Sequence, residues 1–455
     1  MIDVTLSGFD VEAVWEGACR ILERIGLEVP GEKLRSRVAR SFPAKNGRVC
    51  IPRDVLEHHA EEIRSGAPKP AGRGADDRLV MSNNPFCSHY LDPADGKVKP
   101  FDMDSLIRHT RLACSLSDGN ALYGQVAGYP PREPPRLQFL ISYFVNCCHN
   151  RSAGPHPLVT DEQVLKYYLE IASVMGHQTF VGAEPISPLR FAGDSVHLAA
   201  EHGREISIGV DPMPIMGITA PLNWHAAWAQ SVAENLGSYV LLRACGCQKV
   251  EAPTFRLFLP NMATGAIYFS SPQHIFAMLA RRKVRAFFNL TLDWGEFMLV
   301  TSKQADAQAA TEKTVGCVLA KVFDFRFLEG AGNLSMDEIF SPQQLLIDIE
   351  IRNYVSGLPA KLDDARDDIV AMVGEGVNAG NFMQCEPTLG RFREFTWPRG
   401  LFDFARLGGW DGKNLLDKAA RRAEEKLAGY DYELAGETRE ALERIMARAR
   451  KELSA

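Results

Sequence analysis

Residues 181–191 read VGAEPISPLRF and residues 205–224 read EISIGVDPMPIMGITAPLNW. Each is an apolar run that ends in an acid, Glu184 or Asp211, and then passes into a proline-rich connection. An amphipathic helix reaching His202 separates them, and a second helix running to Arg243 follows. Proline lacks an N–H and fixes φ, so neither connection can continue a central strand. Two strand-to-helix units at one spacing make a βαβα pattern. Polar groups therefore collect where strands stop, the rim that carries the active site in barrels of parallel strands.

Working outward, strands are expected near Ala121–Val126, His156–Val159, Gln178–Ala183, Glu205–Val210, Lys249–Thr254, Val284–Leu290, Val322–Leu328 and Asn381–Cys385, with helices in most gaps. Eight such units predict an α/β fold, a (β/α)8 TIM-like barrel spanning 102–410. Residues 1–101 read differently, as an N-terminal cap of helices and a small sheet. Apolar residues recur at helical spacing from Asp10 to Ile25 and stop at Gly26, a helix-ending glycine. Further helices are expected over Glu32–Arg40 and Pro52–Ser65. Short strands are expected at Arg78–Met81, Phe86–Leu91 and Lys97–Phe101, the last two joined by the turn residues DPADGK. Residues 411–455 hold two charged amphipathic helices from Asn414 to Leu453, expected to pack on the barrel.

Composition narrows the function. The chain has 455 residues, 46% hydrophobic and 24% charged, with a net charge of −6. That balance belongs to a globular protein and supplies no basic field for nucleic acid or an anionic membrane. No apolar run nears the roughly 18 residues of a spanning helix, and the opening MIDVTLSGFDVEAV lacks a signal peptide's basic start, so a cytoplasmic protein is expected. The ten cysteines show no CxxC pair. Cys147-Cys148-His149 and Cys245-Gly246-Cys247 read as buried free thiols rather than ligands, and no metal site is expected.

Five ordered segments carry a resemblance: EPISPL (184–189), MPIMGITAPLNWHAAWAQSVAEN (213–235), TSKQADAQAATEK (301–313), GAGNLSMDEIFSPQQLLIDIE (330–350) and EPTLGRFREFTWPRGLFDFARLGGW (386–410). In this order they resemble the corrinoid-dependent trimethylamine methyltransferase family and its relatives that act on glycine betaine. The resemblance implies a (β/α)8 barrel that passes a methyl group from a methylated amine to the cobalt of a separate corrinoid protein. Cobalamin would then be carried by that partner, with no cofactor held tightly by this chain. The family's first methyltransferase carries pyrrolysine, whereas every residue here is standard. The family's loop GATGPVT reads GITAPLN here, placing Asn223 where Thr is commoner.

Chemistry points to the substrate. Cobalt(I) is a strong nucleophile, and a quaternary ammonium gives up a methyl group with a neutral tertiary amine leaving, so no proton need be delivered. A protonated tertiary amine must first lose its proton. A chain without pyrrolysine is thus expected to demethylate a quaternary amine, a betaine foremost, in a desolvated pocket with aromatic faces. Tyr268, Phe269 and Trp294 lie in rim loops and read either as cage members or as loop packing. Trp224 and Trp228 share an apolar helix stripe and read as core. Glu184, Asp211 and Glu329 end strands and read either as partners of the ammonium or as caps and ion pairs. Lys303 and Asp306 open a helix on the rim side. Lys303 there suits a betaine carboxylate, or a salt bridge with Asp306 or Glu296, and the N–H groups from Gly217 to Thr219 suit the same anion. Glu234, about 16 Å down its helix from Asn223, reads as a partner of Gln230. The expected partners are a corrinoid protein and a small quaternary amine, with no nucleic acid or membrane and self-association left open. The readings left beside this one are a non-catalytic quaternary-ammonium binder and a barrel enzyme of unrelated chemistry.

Overall fold

The computed structural model describes residues 6–67, 79–117, 122–154, 158–159, 161–291, 294–358, 369–395 and 400–454. They form a mixed α/β protein with two parallel sheets. In the first, Phe180–Ala183 pairs with Ser207–Val210, which pairs with Lys249–Val250. In the second, Trp294–Gly295 pairs with Phe327–Glu329, then Val80–Ser82, then Leu122–Tyr123. The strand latest in sequence thus lies beside the earliest. Val80–Ser82, expected in the N-terminal cap, is instead a member of this parallel sheet.

The strands expected to end at Glu184 and Asp211 are present with the expected ends, because alternating buried residues such as Val181, Ala183, Ile208 and Val210 fill the core. Three expectations are corrected. Val284–Leu290 is the end of the helix Pro272–Phe287, whose buried Ala277, Ala280, Arg281 and Val284 recur at three and four residues. The strand follows it at Trp294–Gly295. Val322–Leu328 begins inside the helix Ala307–Val322, and its strand is Phe327–Glu329. Asn381–Cys385 is a turn, where Asn381 Oδ1 accepts from the Met383 N–H. Of the strand expected at His156–Val159, residues 156–157 lie outside the described residues, and Leu158 and Val159 are described outside any strand.

The flanking elements follow their sequence patterns. Val11–Arg24 is a helix capped by Asp10, and Gly26 behind it has φ +68°, with a Cβ there blocked by the Val49 carbonyl. That helix packs on Trp224–Ala244, where Trp228 is fully buried as core. His89–Leu91 and Val98–Pro100 form the expected hairpin. Leu415–Ala428 packs on Pro342–Ser356, and Gly436–Leu453 on Glu162–Met175. No helix among the described residues is long and apolar enough to cross a membrane.

Candidate active site

The C-terminal ends of both parallel sheets meet at one guanidinium. Arg256 lies six residues past the Lys249–Val250 strand. Its Nη1 is 3.1 Å from Asp211 Oδ2, at the end of the first sheet's central strand, and its Nε is 3.6 Å from Glu296 Oε1, beyond the end of the second sheet's Trp294–Gly295 strand. Glu329 and Glu184 act on the same guanidinium: all four carboxylates raise its pKa against a burial that would lower it. Glu184, Asp211 and Glu329 therefore share one rim, as their sequence positions suggested. Thr254 Oγ1 donates to Asp211 Oδ1 at 2.6 Å and fixes that carboxylate from below.

A second guanidinium, from buried Arg281 on the helix Pro272–Phe287, pairs with both oxygens of Glu296 at 3.4 Å and donates through Nε to the Thr254 carbonyl. Burial would lift the Glu296 carboxyl, but Arg281 and Arg256 outweigh it and hold the group below its ordinary value. Both arginines lie over the Trp294 ring, 4.8 and 5.1 Å from its centroid. The indole face that the sequence offered to a substrate cation already holds two resident ones.

Glu329 has the opposite electrostatics. Burial pushes its carboxyl up to about 7, and the Glu296 charge adds to this, while Arg256 and the 2.6 Å bond from Asn84 Nδ2 resist. Glu184 keeps solvent access by surface area, yet its carboxyl is also raised, first by desolvation and then by Asp211. Asn84 is held in turn by Asn333, whose Oδ1 accepts its backbone N–H at 3.1 Å.

The other expected residues are placed around this basin. Gly217 (φ +81°) makes the turn after Asp211, and its N–H goes to the Ala220 carbonyl, while those of Ile218 and Thr219 go to Ile215. Thr219 Oγ1 accepts from the Ile215 N–H at 2.8 Å. These donors are used within the turn, so none is left over for an anion. Asn223 caps its helix through the Ala226 N–H. Phe269 packs edge-on against Phe258 and His274, and Tyr268 is half-buried beside it. Lys303 is exposed, with Nζ 2.8 Å from the Thr301 carbonyl. Its expected partners are engaged elsewhere: Asp306 accepts from Ala309 N–H and Ser302 Oγ, and Glu296 holds the arginines. Glu234 accepts from Gln230 as expected, and also from Ser187 Oγ and the Leu189 N–H, so it braces the loop behind Glu184.

The thiols are poor metal ligands. Burial raises Cys148 and Cys247 to about 12 and Cys245 to about 11, and lifts Cys147 further. Among the described residues one group has metal-like spacing, Glu162, Glu201 and His202, but it lies at the ends of two helices and Glu201 is paired with Lys33.

Comparison with known proteins places this basin in a family. The model of the trimethylamine methyltransferase family (MTTB) matches residues 177–454. The chain belongs to that family. The trimethylamine methyltransferases MttB of Desulfitobacterium hafniense (strain DSM 10664 / DCB-2) and Methanosarcina thermophila are each 25% identical to it, over 251 and 243 residues. These alignments cover 54% and 52% of this chain and 49% of each relative, so the chain spans about half the length of the curated relatives it matches. Glu184, Asp211, Arg256, Trp294, Glu296 and Glu329 all fall inside the stretch that matches the trimethylamine methyltransferase family, whereas Asn84 comes from the preceding part of the chain.

Proposed function

We propose that this chain is a cytoplasmic methyltransferase that takes a methyl group from a quaternary amine, a betaine foremost, and hands it to the cobalt of a corrinoid protein. Family membership supports methyl transfer. One observation carries the choice of a cationic substrate: four carboxylates, Glu184, Asp211, Glu296 and Glu329, face two guanidiniums, Arg256 and Arg281. The surplus is negative, and two of the four carboxyls, Glu184 and Glu329, are raised toward neutrality because burial outweighs the pull of Arg256. A bound ammonium would offset part of that surplus and favour the ionised form of the raised carboxyls.

In the proposed reaction the N–CH3 bond breaks as a Co–CH3 bond forms, and the nitrogen keeps its pair and leaves as a neutral tertiary amine. This chain's part is to bind the cation, exclude water and aim the methyl group. Lys303, on the loop that follows Trp294, is the donor we assign to a betaine carboxylate. Exposed Met213, Ile218, Leu222 and Met262 on the rim loops give a partner an apolar landing beside the basin. The reading also takes the seven described parallel strands as members of one (β/α)8 barrel. The pairing of Phe327–Glu329 with Val80–Ser82 and the bridging of the two sheets by Arg256 support it.

The test is spectroscopic. The protein is mixed with reduced cobalamin and glycine betaine, choline or trimethylamine, and conversion of cob(I)alamin to methylcobalamin is followed. Turnover with quaternary amines and little with trimethylamine is expected. Equal rates with trimethylamine, or betaine binding without any methylcobalamin, would refute the assignment.

A further inference from the structure

A pocket of about 210 Å³ opens where the helix Met103–Ser115 packs against the C-terminal helix Leu415–Ala428. Leu112, Pro342 and Ala423 are its buried wall, while Pro93, Arg108 and Glu424 stand exposed at its mouth. None of the carboxylates or arginines of the basin lines it.

One polar group in that wall is left over. His109 lines the pocket and is 4% exposed, and its Nδ1 has no hydrogen-bond partner among the described residues. A buried polar atom is costly to leave unpaired. The charged groups nearby are already matched: Arg108 Nη2 reaches both oxygens of Glu424 at 2.6 Å, and Asp92 pairs with Lys99 at 2.5 Å. Ser105 Oγ donates to Asp102, and Gln343 Nε2 donates to the Leu416 carbonyl.

These facts define the occupant. Burial, with the Arg108 charge adding to it, holds the imidazole down at about 3, so the ring is neutral at ordinary pH. With the neighbouring charges paired, an ionic ligand would lose its hydration without gaining a counter-charge, so the pocket suits a neutral molecule. The Tyr90 ring, also in the wall, lies 4.8 Å from the imidazole centroid, and Phe340 and Phe101 hold the imidazole at 5.6 and 6.0 Å. An aromatic wall around a fixed handle favours a flat ring. Space agrees, since an apolar cavity of about 150 Å³ already takes benzene. A hydroxyl both donates and accepts, so it satisfies Nδ1 in either tautomer. We propose that this pocket binds a small neutral phenol, one ring with one hydroxyl, hydrogen-bonded to His109 Nδ1.

Calorimetric titration of the full chain with phenol tests this, independently of the methyl-transfer reading. Saturable binding with a Kd on the order of 1 mM is expected for a ligand of this size. Benzoate and benzylammonium, which carry a charge on a similar ring, are expected to bind at least about tenfold more weakly. His109→Phe keeps a ring and removes the handle, so phenol is expected to weaken about three- to tenfold while toluene, which has no hydroxyl, stays within about twofold. Ala420→Phe fills the pocket from a partly exposed wall position and is expected to weaken phenol at least about tenfold with native circular dichroism. Phenol that does not saturate by about 10 mM, a charged ring that binds as tightly, or phenol binding unmoved by Ala420→Phe each overturns the proposal. So does a His109→Phe protein that loses phenol and toluene equally, and if that variant fails to fold, the charged ligands and Ala420→Phe decide.

Discussion

Two ionic clusters in this molecule, one of a lysine with an aspartate and one of arginines with aspartate and glutamates, are built to different ends. Lys313 and Asp348 are both fully buried and 2.7 Å apart. The ammonium also donates to the carbonyls of Met298 and Gly330, and the carboxylate also accepts from the Gly332 N–H and Gln344 Nε2. One charge meets one charge, every hydrogen-bonding site is filled and solvent is excluded, so the cluster can do nothing but hold the Gly330–Gly332 turn behind Glu329. The Arg256 basin is unbalanced by two carboxylates, is partly open, and leaves Arg256 Nε without a hydrogen bond. A closed, balanced cluster is a fastener, and an open cluster with charge left over is prepared for a ligand.

The largest expected effect comes from unbalancing the fastener. Asp348→Ala leaves the Lys313 ammonium buried without its partner and is expected to cost about 3–5 kcal/mol, read from the midpoint of denaturant unfolding. The double replacement Lys313→Met with Asp348→Leu is expected to cost much less, because no charge remains buried. If the single and double variants are equally unstable, the pair is not self-contained and the comparison fails.

Glu329 is expected to give the next largest effect, and its sign follows from its raised carboxyl. The unfolded chain ionises near the ordinary 4.5 and the folded chain near 7. Stability is therefore unaffected by this group below about pH 4.5, falls as pH rises through the window up to about 7, and levels off above it, for a total on the order of 3 kcal/mol. Glu329→Gln keeps an oxygen for Asn84 Nδ2 and is expected to remove the fall. Betaine affinity should move the other way and rise through the same window as the carboxylate forms. A wild-type pH profile identical to that of Glu329→Gln would place the basin among closed, balanced clusters.

The sequence made the rim legible and hid what organises it. Glu184 and Asp211 each end an apolar run, so their position needed only local pattern. Val80–Ser82 begins six positions after the Pro/Gly-rich segment SGAPKPAGRG, and it becomes part of the parallel sheet by pairing with Phe327–Glu329, almost 250 positions away. No local period carries such closure. Arg256 looked like an ordinary arginine in EAPTFRLFLP, although a single cation inside an apolar run just past a strand end was a signal. Lys313 had a clearer one. With Ala309, Gly316, Cys317 and Ala320 it shares the buried face of its helix, and a lysine there needs a buried acid, which Asp348 in LLIDI supplies.

Trp294 tests whether the basin holds its arginines or its substrate by aromatic contact. With two guanidiniums over the ring, Trp294→Ala is expected to lower stability by about 0.5–2 kcal/mol, and Trp294→Phe by less. The two measurements needed are unfolding free energy and betaine affinity on the same variant. A loss confined to affinity would mean that the ring serves the ammonium directly and that the arginines stay in place without it.

The smallest effect is expected at Lys303, and it bears on which end of the substrate the chain reads. The side chain is exposed, anchored by one bond to the Thr301 carbonyl and free of Asp306 and Glu296, so Lys303→Ala is expected to change stability by less than about 0.5 kcal/mol. Choline and glycine betaine share the trimethylammonium group and differ in that only betaine carries a carboxylate. A lysine that meets the carboxylate across partly screened solvent contributes about 0.2–1 kcal/mol, so the variant is expected to lose up to a few-fold in betaine affinity and almost nothing for choline. The difference should shrink as salt is raised, because an exposed ion pair is screened within about 10 Å at ordinary ionic strength. Equal losses for both ligands would move the carboxylate contact elsewhere on the rim. Arg256 would be the next residue to test, since its Nε has no hydrogen bond and its charge already faces the basin.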